Sequence, residues 1–424
     1  MRRAALTGAL LVLSGAAGAQ SLDGHGGPVM DIAVAEDGTV ATASFDNSVG
    51  LWTDGAPRWL EGHEAAVNVV AFLPDGQLAS GADDFDVILW DRASGEVAER
   101  LEGHQGKVMG LAGHGGLIAS ASWDGTIRLW AEGDVQELGG HDGPVNAVAF
   151  GPDGALYSAS ADGTVRVWDV AAAKEERRVV EHGFGINEIV LGPDADWIAW
   201  GAVDGTVKVT DLSSGAEIAD LSAGRRPILA LDLSEEAGAL AVGDGEGHIL
   251  IADTADWSVR HDFRATLQGP VWALAFAPGG DTLYAAGLDA AVQTWPMDAL
   301  GDGTVIASGD ESFLADPATL PNGERQFKRK CSICHTLGPD GARRAGPSLH
   351  DLFGRRAGTV PGYTYSDALD GSDLVWTEDT IDALFDIGPE HYVPGTKMPM
   401  QRITGAEDRA DLIDYLRRAT AATE

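Results

Sequence analysis

The feature that most constrains this chain is an internal repeat of about 40 residues, the period of strand-built repeat arrays. Gly-His recurs at Gly24-His25, Gly62-His63, Gly103-His104 and Gly140-His141, with a degenerate copy at His182-Gly183. Each copy leads into an alternating apolar run such as Val145-Asn146-Ala147-Val148-Ala149-Phe150. A turn signal follows (Pro74-Asp75-Gly76, Pro152-Asp153-Gly154, Pro278-Gly279-Gly280), then a second short run such as Leu78-Ala79-Ser80-Gly81. A turn Asp and a third run close the unit, as in Asp124-Gly125-Thr126-Ile127-Arg128-Leu129-Trp130. The closing positions are Trp52, Trp90, Trp130, Trp168, Thr210, Ala252 and Trp295. Six residues before each stand Asp46, Asp84, Asp124, Asp162, Asp204, Glu246 and Asp289. Alternation with period two, punctuated by such turns, reads as strand. One four-stranded unit cannot bury both faces, but units stacked around an axis can, and ring closure removes the free edges. The repeat therefore predicts an all-β, seven-bladed propeller over residues 20–308.

The pattern resembles the WD-repeat family over residues 21 to about 308. Trp90-Asp91 and Trp168-Asp169 keep the dipeptide that names it. The resemblance implies a buried hydrogen-bond chain within each blade, joining the turn Asp, the Gly-His histidine and a hydroxyl on the second strand. Asp46, Asp84, Asp124 and Asp162 match the first role, and His25, His63, His104 and His141 the second. Their regular recurrence reads as structural, not as metal ligands or catalytic pairs. Blades five and six, closed by Thr210 and Ala252, are degenerate. Gly243-Asp244-Gly245-Glu246-Gly247 falls on the expected turn of blade six and lacks the spacing of a phosphate loop. Ring closure has two readings: the outer strand of the last blade comes from Gln20 to Asp23, or from the longer and more apolar Thr304 to Ser308. Residues 309–320 read as an acidic linker.

Residues 321–424 have a different character. The chain's only cysteines, Cys331 and Cys334, are followed at once by His335. Cys-x-x-Cys-His is the attachment motif of c-type haem: two thiols reach two vinyl groups on one macrocycle edge, and the next imidazole meets the iron from one side. A thioredoxin-like redox pair needs a βαβ setting that is absent. A structural zinc needs four ligands, and no further Cys exists.

The flanks resemble class I cytochromes c of the mitochondrial and bacterial short-chain type, over residues 321–420. Gly323 and Phe327 share one face of a helix before the motif, placed to meet Leu412, Tyr415 and Leu416 of a terminal helix. Gly346 to Arg355 matches the family's segment beside the proximal ligand, which implies that the Pro347 carbonyl accepts from the other nitrogen of His335. Gly362 to Ala368, with Trp376, matches the part that wraps the haem propionates, and the resemblance makes Tyr365, Trp376 and Arg355 their partners. Pro394-Gly395-Thr396-Lys397-Met398 matches the distal loop, with Met398 at the family's usual span, 63 residues after His335. A thioether ligand favours ferrous iron, raises the potential and closes the site to small ligands. Met400 is the rival to Met398, and His391 offers a bis-His alternative. Leu369 stands where many members have Asn, and Ile387-Gly388 where the family often has Asn-Pro; both bear on the fine tuning of the potential. Arg325, Lys328, Arg329, Lys330, Lys397 and Arg402 are expected to ring the exposed haem edge, with Arg343 and Arg344 in the following loop.

The ends and the charge bound the setting. Arg2 and Arg3, the apolar stretch Ala4 to Gly15 and the small-residue site Ala17-Gly18-Ala19 read as a signal peptide over residues 1–19, cleaved after Ala19. The two arginines lack the rest of a twin-arginine signature, and no Cys follows to carry a lipid. A periplasmic location follows as the expectation. No later segment has the apolar length of a membrane span. Net charge is −36. Residues 321–424 hold 13 Lys/Arg against 16 Asp/Glu, and the signal peptide holds two Arg, so residues 20–320 carry −35. Such a surface repels nucleic acid and anionic membranes and attracts basic partners. The sequence thus favours a monohaem c-type electron carrier over an enzyme. Its propeller would dock protein redox partners, periplasmic or membrane-bound. Two alternatives stand beside it: a propeller-based oxidoreductase draining electrons through the cytochrome, and a haem sensor or peroxidase.

Overall fold

Alternating apolar runs separated by Gly- and Asp-rich turns fold here as short antiparallel strands, four to a sheet. The structure, a computed structural model, describes residues 21–53, 55–131, 133–222, 224, 227–266, 269–300, 320–339, 344–366, 368–398 and 401–421. The expected signal peptide and nearly all of the expected linker lie outside the described residues. Seven four-stranded sheets form the first part. Blade one runs from strand Val29–Val34 to strand Ala56–Glu61, and blade six from Ile228–Ser234 to Val259–Arg264. In the last blade the inner strands span Val271–Phe276 to Ala291–Pro296, and the outer position is filled by Ser21–Asp23, paired antiparallel with Ala291 to Gln293. The shorter, more polar of the two candidate segments closes the ring; an outer edge strand needs only backbone pairing, so apolar content was no guide.

All seven inner strands bulge at one position, immediately after their first residue (between Val29 and Asp31 in blade one, Ile186 and Glu188 in blade five). A bulge turns the extra residue out of the ladder and increases the twist. Where that residue is Asn it reaches the next blade: the amides of Asn68, Asn146 and Asn187 donate to the carbonyls of Val108, Ile186 and Ile228 at 3.2, 2.9 and 2.8 Å. From paired positions further along their inner strands, Asp31 and Asp232 also reach the next blade, with the opposite polarity, accepting from the Val70 and Phe276 N–H groups. Burial within the ring, against those N–H donors, raises the pKa of each carboxyl to about 7. Glu188 is raised by burial and by the nearby charge of Asp31.

Within blades one to four the hydrogen-bond chain is complete. In blade two the Trp90 indole donates to Ser80 Oγ at 2.8 Å, Ser80 meets His63 Nε2 at 2.7 Å, and His63 Nδ1 meets Asp84 at 2.9 Å. An indole only donates, so the hydroxyl spends its single proton on Nε2, and the imidazole is the Nδ1–H form. Thr42, Ser120 and Ser158 repeat the arrangement in blades one, three and four. Burial works against the carboxylates, but the His, hydroxyl and backbone donors prevail and hold Asp46, Asp124 and Asp162 well below the ordinary range. Blade five is exchanged more than degraded: Trp200, on the second strand, donates to Thr210 on the third at 3.1 Å, and His182 still meets Asp204 at 3.0 Å.

The C-terminal part is helical. Its helices are α1 (Asn322–Lys330), α2 (Glu378–Ile387), the short α3 (Pro389–Tyr392) and α4 (Ala406–Ala419). α1 crosses α4 at Gly323, where a Cβ would press on the Asp411 carbonyl and come within 2.8 Å of Tyr415 Cβ. Asn322 locks the crossing by donating to Asp408 and Asp411 at 2.8 and 2.7 Å. Thr377 and Thr380 cap the start of α2 reciprocally. Phe327, Leu352, Ile381, Leu384, Phe385, Leu412 and Leu416 form one buried core. Arg409 joins α4 to α2 through Asp382 at 2.7 Å.

Candidate haem site

The chain leaves α1 in a tight turn whose N–H groups still bond backward, Cys331 to Phe327, and Cys334 and His335 to Cys331. Two cysteines and a histidine thereby face one cavity. Cys331 is buried and Cys334 half-buried. Their neighbour His335 meets the Pro347 carbonyl through Nδ1 at 2.8 Å. Burial holds the ring neutral, so Nδ1 donates and the lone pair stays on Nε2. The imidazole seats against Gly346, where a Cβ would lie 2.7 Å from Nδ1.

Leu349, Leu352, Leu369, Ile381, Leu384 and Phe385 give the cavity its apolar walls, and Met398 lines the same space. The Met398 N–H donates to Thr396 Oγ1 at 3.2 Å, which fixes the loop. Arg355, Tyr365 and Trp376 line the cavity too. The guanidinium of Arg355 donates to the carbonyls of His350 and Ser348. Tyr365 Oη accepts from Val360 N–H at 3.2 Å, and its ring meets Tyr363 edge-on at 4.8 Å. All eight residues singled out in the sequence thus stand around one cavity. Ser366 was not singled out within the Gly362 to Ala368 segment: it lines the same cavity, and its buried hydroxyl has no partner among the described residues. Its place in Tyr365-Ser366-Asp367 gave no signal, because an irregular segment has no period to say which hydroxyl turns inward.

The donor set suits a c-type haem. Two thiols would serve the vinyl groups, an imidazole Nε2 and a thioether could hold the iron, apolar walls would take the macrocycle, and a hydroxyl with no partner among the described residues, near Tyr365 and Arg355 in the same lining, would suit a carboxylate. His350 is half-buried, His391 is exposed on α3, and neither lines the cavity. Met400 and Arg343 lie outside the described residues. The expected basic ring is thinner than its sequence: Lys330 and Lys397 line the cavity, but Arg325 turns to Asn322 and Arg402 to the Asp386 carbonyl, both at 2.7 Å.

Residues 320–420 match the family profile described as "Cytochrome c". Over 109 residues the chain is 44% identical to cytochrome c of Sesamum indicum, covering 25% of this chain and 96% of that protein. The cytochrome c of Gibberella zeae is 42% identical over 101 residues, 24% of this chain and 94% of its own length. This chain belongs to the cytochrome c family. The cytochrome domain therefore carries covalently bound haem c, and its family suggests electron transfer. The profile described as "WD domain, G-beta repeat" matches residues 19–53, 57–91, 95–131, 133–169 and 257–295. It passes over most of blades five and six, the two without a closing Trp. The WD40 β-propeller domain of Doa1 superposes with a TM-score of 0.61 at 21% identity, covering 66% of this chain and 96% of that one, which establishes the shared fold. The protein is a WD-repeat propeller fused to a cytochrome c domain, and its WD repeats suggest a protein-interaction scaffold. Among the described residues no helix is long and apolar enough to cross a membrane.

Proposed function

We propose that this protein is an exported, periplasmic electron carrier whose haem is attached through Cys331 and Cys334 and ligated by His335 and Met398. The propeller then serves as the docking scaffold for protein redox partners. One observation carries the reading: a neutral His335, oriented by Pro347, shares a single apolar cavity with both cysteines and Met398. Bound haem iron supplies a one-electron couple. The protein's part is to hold and tune it. Two thioether links fix the group, and the Pro347 carbonyl sets the ring plane and basicity of His335. Met398 would hold the iron through a soft, weakly basic thioether, a donor that favours the ferrous state. Leu369, Phe385 and their neighbours exclude water, which disfavours the more charged ferric state. Tyr365, Trp376, Arg355 and Ser366 supply donors for the propionates, which would otherwise be costly to bury.

The test is carbon monoxide added to the dithionite-reduced holoprotein. An iron closed by Met398 leaves the absorption spectrum unchanged, whereas Met398→Ala takes up the gas in full. Rapid, complete uptake by the unaltered protein would overturn the carrier reading in favour of a sensor or peroxidase. Fractionation with N-terminal sequencing checks the export reading, which expects Gln20 as the first residue of periplasmic material.

A further inference from the structure

The haem cavity is not walled by the cytochrome domain alone. Phe45, Asn47, Ala65, Ala66 and Asp83 of the propeller line it too. These residues come from one end of two adjacent blades. Phe45 and Asp83 immediately precede the turn aspartates Asp46 and Asp84, and Ala65 and Ala66 lead into blade two's inner strand. Beside Cys334, whose thiol feels its charge, Arg344 donates through Nη1 to the carbonyl of Gly26 at 2.9 Å, joining residues 318 apart in sequence. The partners are electrostatically matched. Lys330 and Arg344 face a propeller whose residues 20–320 carry −35, and Asp83 stands on the cavity wall, paired within the propeller to Lys107 at 2.6 Å.

We propose that the rim of blades one and two is a docking surface for the protein's own cytochrome domain, and that in the docked state it closes the haem cavity to protein-sized electron partners. The contact is small, but a tethered domain meets it at an effective concentration far above that of a free partner. Single electrons then pass between the haem and an external protein donor or acceptor only after the domain leaves the rim. Small donors, which need no complementary surface, are affected far less. The inference rests on the electron-carrier reading only for this kinetic consequence.

The experiment uses full-length holoprotein. Zero-length carbodiimide coupling, read by peptide mass mapping, is expected to join the Lys330 segment to the Asp83 segment, with the link weakening as salt rises. Reduction is then followed with dithionite and with reduced plant-type ferredoxin, a small acidic protein donor. Wild type is compared with Arg344→Glu, a loop change outside the cavity lining that removes the contact with the Gly26 carbonyl. A docked fraction of about nine tenths lowers the competent population, and so the ferredoxin rate, about tenfold, which the variant recovers. The dithionite rate and the haem spectrum are expected to stay the same. Absence of the cross-link overturns the docking. A cross-link with equal ferredoxin rates in both proteins overturns the gate. Carbon monoxide uptake by the unaltered protein would defeat the closed-iron reading and leave the cross-link result standing, because coupling reports geometry alone.

Discussion

Single atoms decide the proximal side of the haem site. Gly346 has no Cβ, and the imidazole of His335 occupies the space that one would take, 2.7 Å from Nδ1. Gly346→Ala must push His335 off the Pro347 carbonyl, an overpacking cost of about 1–3 kcal/mol. The expected outcome is a weaker low-spin haem spectrum and a lower melting temperature read at the haem band; an unchanged spectrum would mean that the histidine is not held as described. Ser366 shows the converse case, in which a buried polar atom is legible only through what it lacks, a partner among the described residues. No sequence pattern distinguishes it from its neighbour Thr364.

At the scale of elements, the blade is defined by a hydrogen-bond chain more than by its closing residue. Blade five lacks the Trp at position 210, yet it rebuilds the bond by placing Trp200 on the second strand and the hydroxyl of Thr210 on the third. Antiparallel neighbours make the exchange possible, since Ile198 pairs with Thr210 and Trp200 with Lys208, leaving the two side chains diagonal on one face. Thr210→Val strands a buried indole N–H and is expected to cost about 1–3 kcal/mol. The double exchange Trp200→Ser/Thr210→Trp restores the order used by the first four blades, and it should melt closer to wild type than Trp200→Ser alone. Thermal unfolding by circular dichroism checks both; a double variant no better than the single one would show that the exchange is fixed by its surroundings.

Over the whole molecule, two sets of carboxyls pull stability in opposite directions. The turn aspartates have depressed pKa values, so their contribution is present above the unfolded carboxyl range, near about 4, and is lost as pH falls through their folded values. Asp31 and Asp232 are raised to about 7, so their contribution is complete in acid below about 4 and is lost as pH rises through 7. Both still touch solvent, which tempers their weight. The propeller is thus expected to lose stability between pH 5 and 8. Asp31→Asn surrenders one acceptor at every pH, so its signature is slope and not level: the fall in melting temperature across that window should shrink. An unchanged slope would remove Asp31 from the titration.

The sequence by itself determined the architecture and most of the site. The Gly-His to Trp spacing repeats with strand periodicity, and only stacked blades bury such units. Cys331, Cys334 and His335 are adjacent in the chain, so their chemistry is local and needs no fold to be read. Tertiary structure alone decided that Ser21–Asp23 closes the ring, because an outer strand is chosen by backbone geometry at the end of the ring and not by composition. It also decided the inward turn of Ser366, the exchange within blade five, and the meeting of Phe45 and Asp83 with the haem cavity. Each of these joins residues through space, across strands, blades or domains, where sequence distance carries no information about contact.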